Sequence, residues 1–267
     1  MDAYSPSEMA KLVSSVGVLK ANLPALQLWL LGMLAGAFIA FGAMLFTMVM
    51  SGSELGFGLT RWLGGIAFSL GLILVIVGGA ELFTGNNLIV MAWAERKITT
   101  GQLLRNWSIV YVANLIGSLG SVLLVWFSGT LALGGGAVGA TAGAIATGKL
   151  ELDFIEAFTR GILCNALVCL AVWLCFSANR VSGKILSIIF PISAFVALGF
   201  EHSVANMYLI PIGMLANGQG IDVGGFVGNL LPVTLGNIIG GGVLVASVYW
   251  VVYLRGQGEA MKTPEKH

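Results

Sequence analysis

The chain has 267 residues, 57% of them hydrophobic and 9% charged, with a net charge of +1. A soluble domain carries about 25% charged residues to cover its surface, so this composition excludes one and points to a surface that faces lipid. The near-zero net charge also excludes a polyanionic partner such as nucleic acid.

Residues 1–25 are polar but periodic, with Met9, Leu12, Val13, Val16 and Leu19 at helical spacing. The pattern predicts a short amphipathic helix at the membrane surface. It lacks the apolar core and small-residue cut site of a cleavable signal, so none is expected. Residues 26–254 form the membrane domain. Its apolar stretches fall at 26–50, 61–94, 103–132, 154–178, 184–215 and 226–254. The fold class is therefore all-α, an integral membrane protein with six spans. Residues 255–267 are a polar tail.

The second and fifth stretches are too long for one plain span, and polar residues interrupt each. The breaks are Glu81-Leu82-Phe83-Thr84-Gly85-Asn86-Asn87 and Glu201-His202-Ser203 with Asn206 just beyond. Glycine, 38 residues in all, suits close helix contact and interrupted helices. Cys164, Cys169 and Cys175 lie in one apolar run and read as helix residues, not a disulfide or metal site. Ten Lys and Arg residues fall on the termini and the 2–3 and 4–5 loops; only Arg61, Lys149 and Arg160 fall opposite. This asymmetry places both termini in the cytoplasm of a cell-membrane protein.

The chain repeats itself. Gly79-Ala80-Glu81 aligns with Gly199-Phe200-Glu201, and an Asn-x-Ile-Gly motif follows each Glu, at Asn114 and at Asn237. Two copies of three spans must run in opposite directions. An inverted repeat with broken helices at matching positions is a transporter signature, and the breaks mark the pathway.

His202 is the sole histidine within the spans and lies at a break beside Glu201. It could give a proton to a passing anion or face it with positive charge, where the plainer reading is a core histidine joining helices. Glu81 and Glu201 would repel an anionic cargo, so they are expected to accept hydrogen bonds from backbone donors freed by the breaks. Asn86, Asn87 and Asn206 are expected to satisfy freed backbone groups too. Thr84 and Ser203 offer hydroxyls that can donate to an anion. Asn114, Asn165 and Asn237 suit interhelical bonding and pore lining equally. Phe68, Leu72, Leu82 and Phe195 are either constrictions or plain packing. Lys20, Lys149 and Arg160 are anchors at span ends, or a basic vestibule that concentrates anions.

Three stretches carry a family resemblance: Gly79 to Asn86, Gly199 to Met207, and Asn229-Leu230-Leu231-Pro232-Val233-Thr234-Leu235-Gly236-Asn237. From about Met9 to Leu254 the chain resembles the formate/nitrite transporter family. The resemblance implies an aquaporin-like protomer with its own pore, in a homopentamer, with no cofactor. It implies that the break around Thr84 is a mobile pore loop and His202 the central pore histidine. Phe68, Leu72, Leu82 and Phe195 would be its constrictions, with Lys20 and Lys149 the basic residues outside them. Tyr208 to Met214 and Ile238 to Gly242 look most like the formate branch. Glu81 stands where formate channels often have Asp, and Gly85-Asn86 leans towards nitrite-type sequences. The expected function is bidirectional transport of formate, with a proton supplied through His202. Nitrite, hydrosulfide and short monocarboxylates are the alternatives within the family. A membrane enzyme with a Glu–His dyad finds no second span histidine or nucleophile motif, and a water channel finds no paired Asn-Pro-Ala breaks.

Overall fold

The computed structural model describes residues 4–218 and 220–255, and the polar tail from residue 256 on, His267 included, lies outside them. The described chain is helical throughout. Helix α1, Pro6–Ala21, opens with a capping box in which Ser5 and Glu8 satisfy each other's backbone N–H groups. Its buried face of Met9, Ala10, Val13, Gly17 and Ala21 packs on the chain after the first break, Leu88 to Ala92. The amphipathic helix thus rests on protein along that face.

Helices α2 (Ala25–Met50), α3 (Phe57–Gly78), α4 (Val90–Ala94) and α5 (Thr100–Phe127) complete the first half. The second half holds α6 (Ala137–Leu150), α7 (Phe154–Ser177), α8 (Val181–Ala197), α9 (Ser203–Ala216), α10 (Val223–Ile238) and α11 (Val248–Tyr253). Six helices are long and apolar enough to cross a bilayer: α2, α3, α5, Thr130–Leu150, α7, and Val223–Tyr253. One member differs from the sequence reading. Thr130–Leu150 lies where a loop is expected, because its Gly, Ala and Thr residues blur the apolar signal. The stretch 184–215 is instead divided between the shorter helices α8 and α9.

Both divided spans end alike. Gly79 has φ +80 and Gly199 has φ +74, the left-handed conformation that glycine adopts without penalty. Ala80 N–H then donates to Val75 O at 2.9 Å, and Phe200 N–H to Phe195 O at 3.0 Å. After the first break the chain re-enters as a short 3-10 turn, Gly85–Ile89, leading into α4; after the second it re-enters as α9.

The halves also pack alike. α2 lies on α5 and α7 on α10. A Cβ at Gly117 would overlap Met33 O, and one at Gly240 would overlap Ile162 O, so at both crossings the backbones touch. The helix after α10 widens into a π segment, Ile239–Ser247, where Gly241 lies against Asn165, Cys169 and Asn87.

Candidate functional site

Each break is held by the same three-part device. The first part is an asparagine that bridges the interrupted backbone. Asn114 Oδ1 accepts from Phe83 N–H at 2.9 Å, while its amide donates to Gly32 O at 2.8 Å and Glu81 O at 2.9 Å. Asn237 repeats this with Ser203 N–H at 2.9 Å, Gly161 O at 2.8 Å and Glu201 O at 3.0 Å. An amide supplies a donor and an acceptor without burying charge, which is what a broken helix lacks.

The second part is an ion pair. Lys20 Nζ lies 2.6 Å from Glu81 Oε1, and Lys149 Nζ lies 2.8 Å from Glu201 Oε1. The third is a pair of amides completing the carboxylate's shell. Asn86 donates to Glu81 at 2.7 Å and to Asn106 at 3.0 Å; Asn206 donates to Glu201 at 2.6 Å and to Asn229 at 2.8 Å. Asn106 and Asn229 close the loop by donating to Lys20 O and Lys149 O.

The expectation for Glu81 and Glu201 therefore needs correction. Their side chains bind lysines and amides, and the freed backbone goes to Asn114 and Asn237. The physical reason is charge: a carboxylate buried here needs a cation more than it needs peptide N–H groups. Asn86 and Asn206 likewise serve the carboxylates, and only Asn87, donating to Phe83 O at 2.9 Å, bonds the backbone of its break. Asn106 escaped the sequence reading, and Asn229 entered it only as part of a family motif, although the two sit at matching positions of the two copies.

The two breaks meet at one bond. Thr84 Oγ1 lies 2.9 Å from His202 Nε2, and both residues are buried. His202 is also the N-cap of α9: its Nδ1 lies 3.0 Å from Ala205 N. A peptide N–H can only donate, so Nδ1 accepts, and the ring proton of the neutral imidazole sits on Nε2 and points at Thr84. The Thr84 hydroxyl hydrogen is then free to donate elsewhere. Adding a second ring proton would displace Ala205 N–H, so protonation is tied to opening the cap. Asn165 donates to Thr84 O at 3.3 Å and to Asn237 O at 2.7 Å, anchoring one break to the other. Ser203 does not mirror Thr84. It takes the place of Phe83, and its Oγ has no hydrogen-bond partner among the described residues.

A cavity lies on each side of this centre. One, about 320 Å³, is lined by Leu72, Leu82, Glu81, Asn86, Lys20 and Lys184 among others. The other, about 450 Å³, is lined by Phe68, Phe195, Glu201, Lys149, Arg61 and Arg160 among others. Asn165 and Asn206 line neither. The Phe195 ring stacks on the His202 ring at 5.9 Å and meets Phe68 edge-on at 5.6 Å. Phe46 extends the row, edge-on to Phe68 at 6.4 Å. Apolar side chains thus separate both cavities from the polar centre, a dry barrier that resists a bare ion far more than a neutral molecule.

A family model described as formate/nitrite transporter matches residues 7–251. The chain is 42% identical to the formate channel FocA of Escherichia coli (strain K12) over 273 residues, covering 95% of this chain and 96% of that protein. It is 40% identical to a probable formate transporter of Methanothermobacter thermautotrophicus, covering 94% and 97%. Among solved structures it resembles a pentameric formate channel with formate bound, with TM-score 0.79, 41% identity and coverage of 86% and 98%. It also resembles an FNT family ion channel, with TM-score 0.83, 28% identity and coverage of 92% and 98%.

Proposed function

This chain belongs to the formate/nitrite transporter family, and from that premise we propose that it moves formate across the cell membrane, with His202 and Thr84 as the point of proton exchange. It is a multi-pass membrane transporter and not an enzyme. The observation that carries the reading is the His202 Nε2–Thr84 Oγ1 bond, buried between two cavities that each contain lysine.

The steps follow from electrostatics. A formate anion gathers in a cavity rich in positive charge. Phe68 and Phe195 on one side, and Leu72 and Leu82 on the other, strip its water. Opening the α9 cap frees His202 Nδ1 to take a proton from the entry side, and the imidazolium passes its Nε2 proton to Thr84 Oγ1 as the Thr84 hydroxyl gives its own to the anion, so the dry section is crossed as the acid and His202 is left neutral. On the far side water and lysine favour ionisation, and the proton is released there with the anion. The neutral tautomer supports a second reading in which no proton is transferred: Thr84 alone donates to a passing anion, and His202 fixes the direction of its hydroxyl.

The same reading places residues 1–25 as a segment packed on a channel domain of residues 26–254, with both termini cytoplasmic. It also places five chains around a common axis, each with its own path; the pentameric likeness and the many apolar side chains left exposed support this. The test is flux into proteoliposomes, with formate in competition against nitrite, lactate and hydrosulfide. Formate should be carried in preference to lactate. Carriage of hydrosulfide or nitrite with formate excluded would overturn the choice of cargo.

A further inference from the structure

Three cations line the cavity on the Phe68–Phe195 side: Arg61, Lys149 and Arg160. Lys149 is neutralised by Glu201, and Arg160 by Glu156 at 2.7 Å. Arg61 has no carboxylate partner among the described residues. Its guanidinium instead caps α8, with Nη2 donating to Val196 O at 2.7 Å and Nε donating to Ala197 O at 3.3 Å. A guanidinium carries five N–H donors, so three remain, two of them on Nη1. They are held in place by the same bonds that stop α8 beside the second break.

We propose that Arg61 is the residue that captures the incoming anion at this mouth, and that its fixed fork favours a planar carboxylate over a single-atom anion. Glu201 and Glu156 offset two of the three cations, so this mouth keeps one net positive charge. Arg61 is the cation that makes no ion pair among the described residues, and a rigid pair of N–H donors matches two carboxylate oxygens in a way an ammonium cannot. The carbonyl bonds add preorganisation, because the side chain loses little further freedom when the anion arrives. This inference rests on the formate reading and narrows how cargo is chosen.

Proteoliposomes sorted by an exposed terminal tag allow entry from each face to be measured separately, for formate and for hydrosulfide. In Arg61→Gln the half-saturating formate concentration for entry from the Arg61 face should rise about 10-fold, the effect of one lost charge-assisted contact. The maximal rate from the Arg61 face, and half-saturation from the opposite face, should stay within about twofold, while the maximal rate from the opposite face falls by about the same 10-fold, because on a passive path the ratio of maximal rate to half-saturation is equal in both directions. Arg61→Lys should keep wild-type half-saturation for hydrosulfide while weakening formate several-fold, because charge survives and the fork does not. Unchanged half-saturation in Arg61→Gln would overturn the proposal, as would Arg61→Lys behaving like wild type for both anions. Loss of maximal rate from both faces with a lowered melting temperature would make Arg61 only a clamp on α8, and would overturn it too. If the wild-type chain carries no formate, the cargo reading fails by itself, and hydrosulfide entry in Arg61→Gln still decides whether Arg61 captures anions.

Discussion

His202 carries two bonds, and they can be separated by substitution. Asparagine is a strong N-cap, so in His202→Asn its side-chain oxygen can still accept from Ala205 N–H and α9 should form. It cannot titrate and is too short to reach Thr84 as the imidazole does. We expect formate uptake driven by an imposed pH gradient to fall at least 10-fold, on the scale of general acid–base contributions, with the melting temperature shifted by only a few degrees. Flux in proteoliposomes with and without the gradient measures this; full coupling in the variant would remove the proton role. Thr84→Val leaves the His202 N–H buried without an acceptor, at a cost of about 1–3 kcal/mol. It should slow flux while Thr84→Ser restores it, and equal rates in the two variants would exclude the hydroxyl. The sequence makes His202 and Thr84 visible because each is a polar residue stranded in an apolar run. It hides the partners of Glu81 and Glu201, since Lys20 and Lys149 lie 61 and 52 residues away and look like span-end anchors.

At the scale of elements, the breaks stand because asparagine side chains take over the helical bonds. Asn237→Leu would leave Ser203 N–H and Glu201 O unsatisfied together, while Gly161 O keeps its helical bond within α7. A loss of about 2 kcal/mol or more follows from two such groups, readable as a large drop in thermal stability in detergent. Asn114→Leu should cost a similar amount, because the bonding is the same. The ion pairs behave differently. Lys149→Met alone leaves the buried Glu201 carboxylate uncompensated and should destabilise by about 3–5 kcal/mol. Lys149→Met with Glu201→Gln removes both charges and should recover much of that loss; a strictly additive double variant would show the pair is not coupled. The breaks themselves are legible from glycine beside glutamate inside an apolar stretch. Helix α6 is not, because Ala137 to Gly148 has the residues of a flexible linker. It is helical because its small side chains fit closely on α9, where a Cβ at Gly213 would overlap Ala142 O.

At the scale of the whole molecule, the described helices leave many large apolar side chains exposed, among them Phe41, Trp62, Leu124, Phe127 and Phe190. Lipid and neighbouring chains would share that surface. Mass measurement in mild detergent should give a complex of five copies, and a monomer that transports at the full rate would refute the assembly. Inverted duplication has a further result. On the proposed path each cavity holds a cation from the opening turns of a broken helix, Arg61 or Lys184, a lysine–glutamate pair, a left-handed glycine and apolar side chains. Only the centre departs from the pattern, with Leu82 opposite His202 and Val204 opposite Thr84. A barrier profile so nearly palindromic has little capacity to rectify. On the proposed path net traffic would follow whichever side holds more acid, and a cell that turned from excreting its cargo to consuming it would reverse the current without altering the protein.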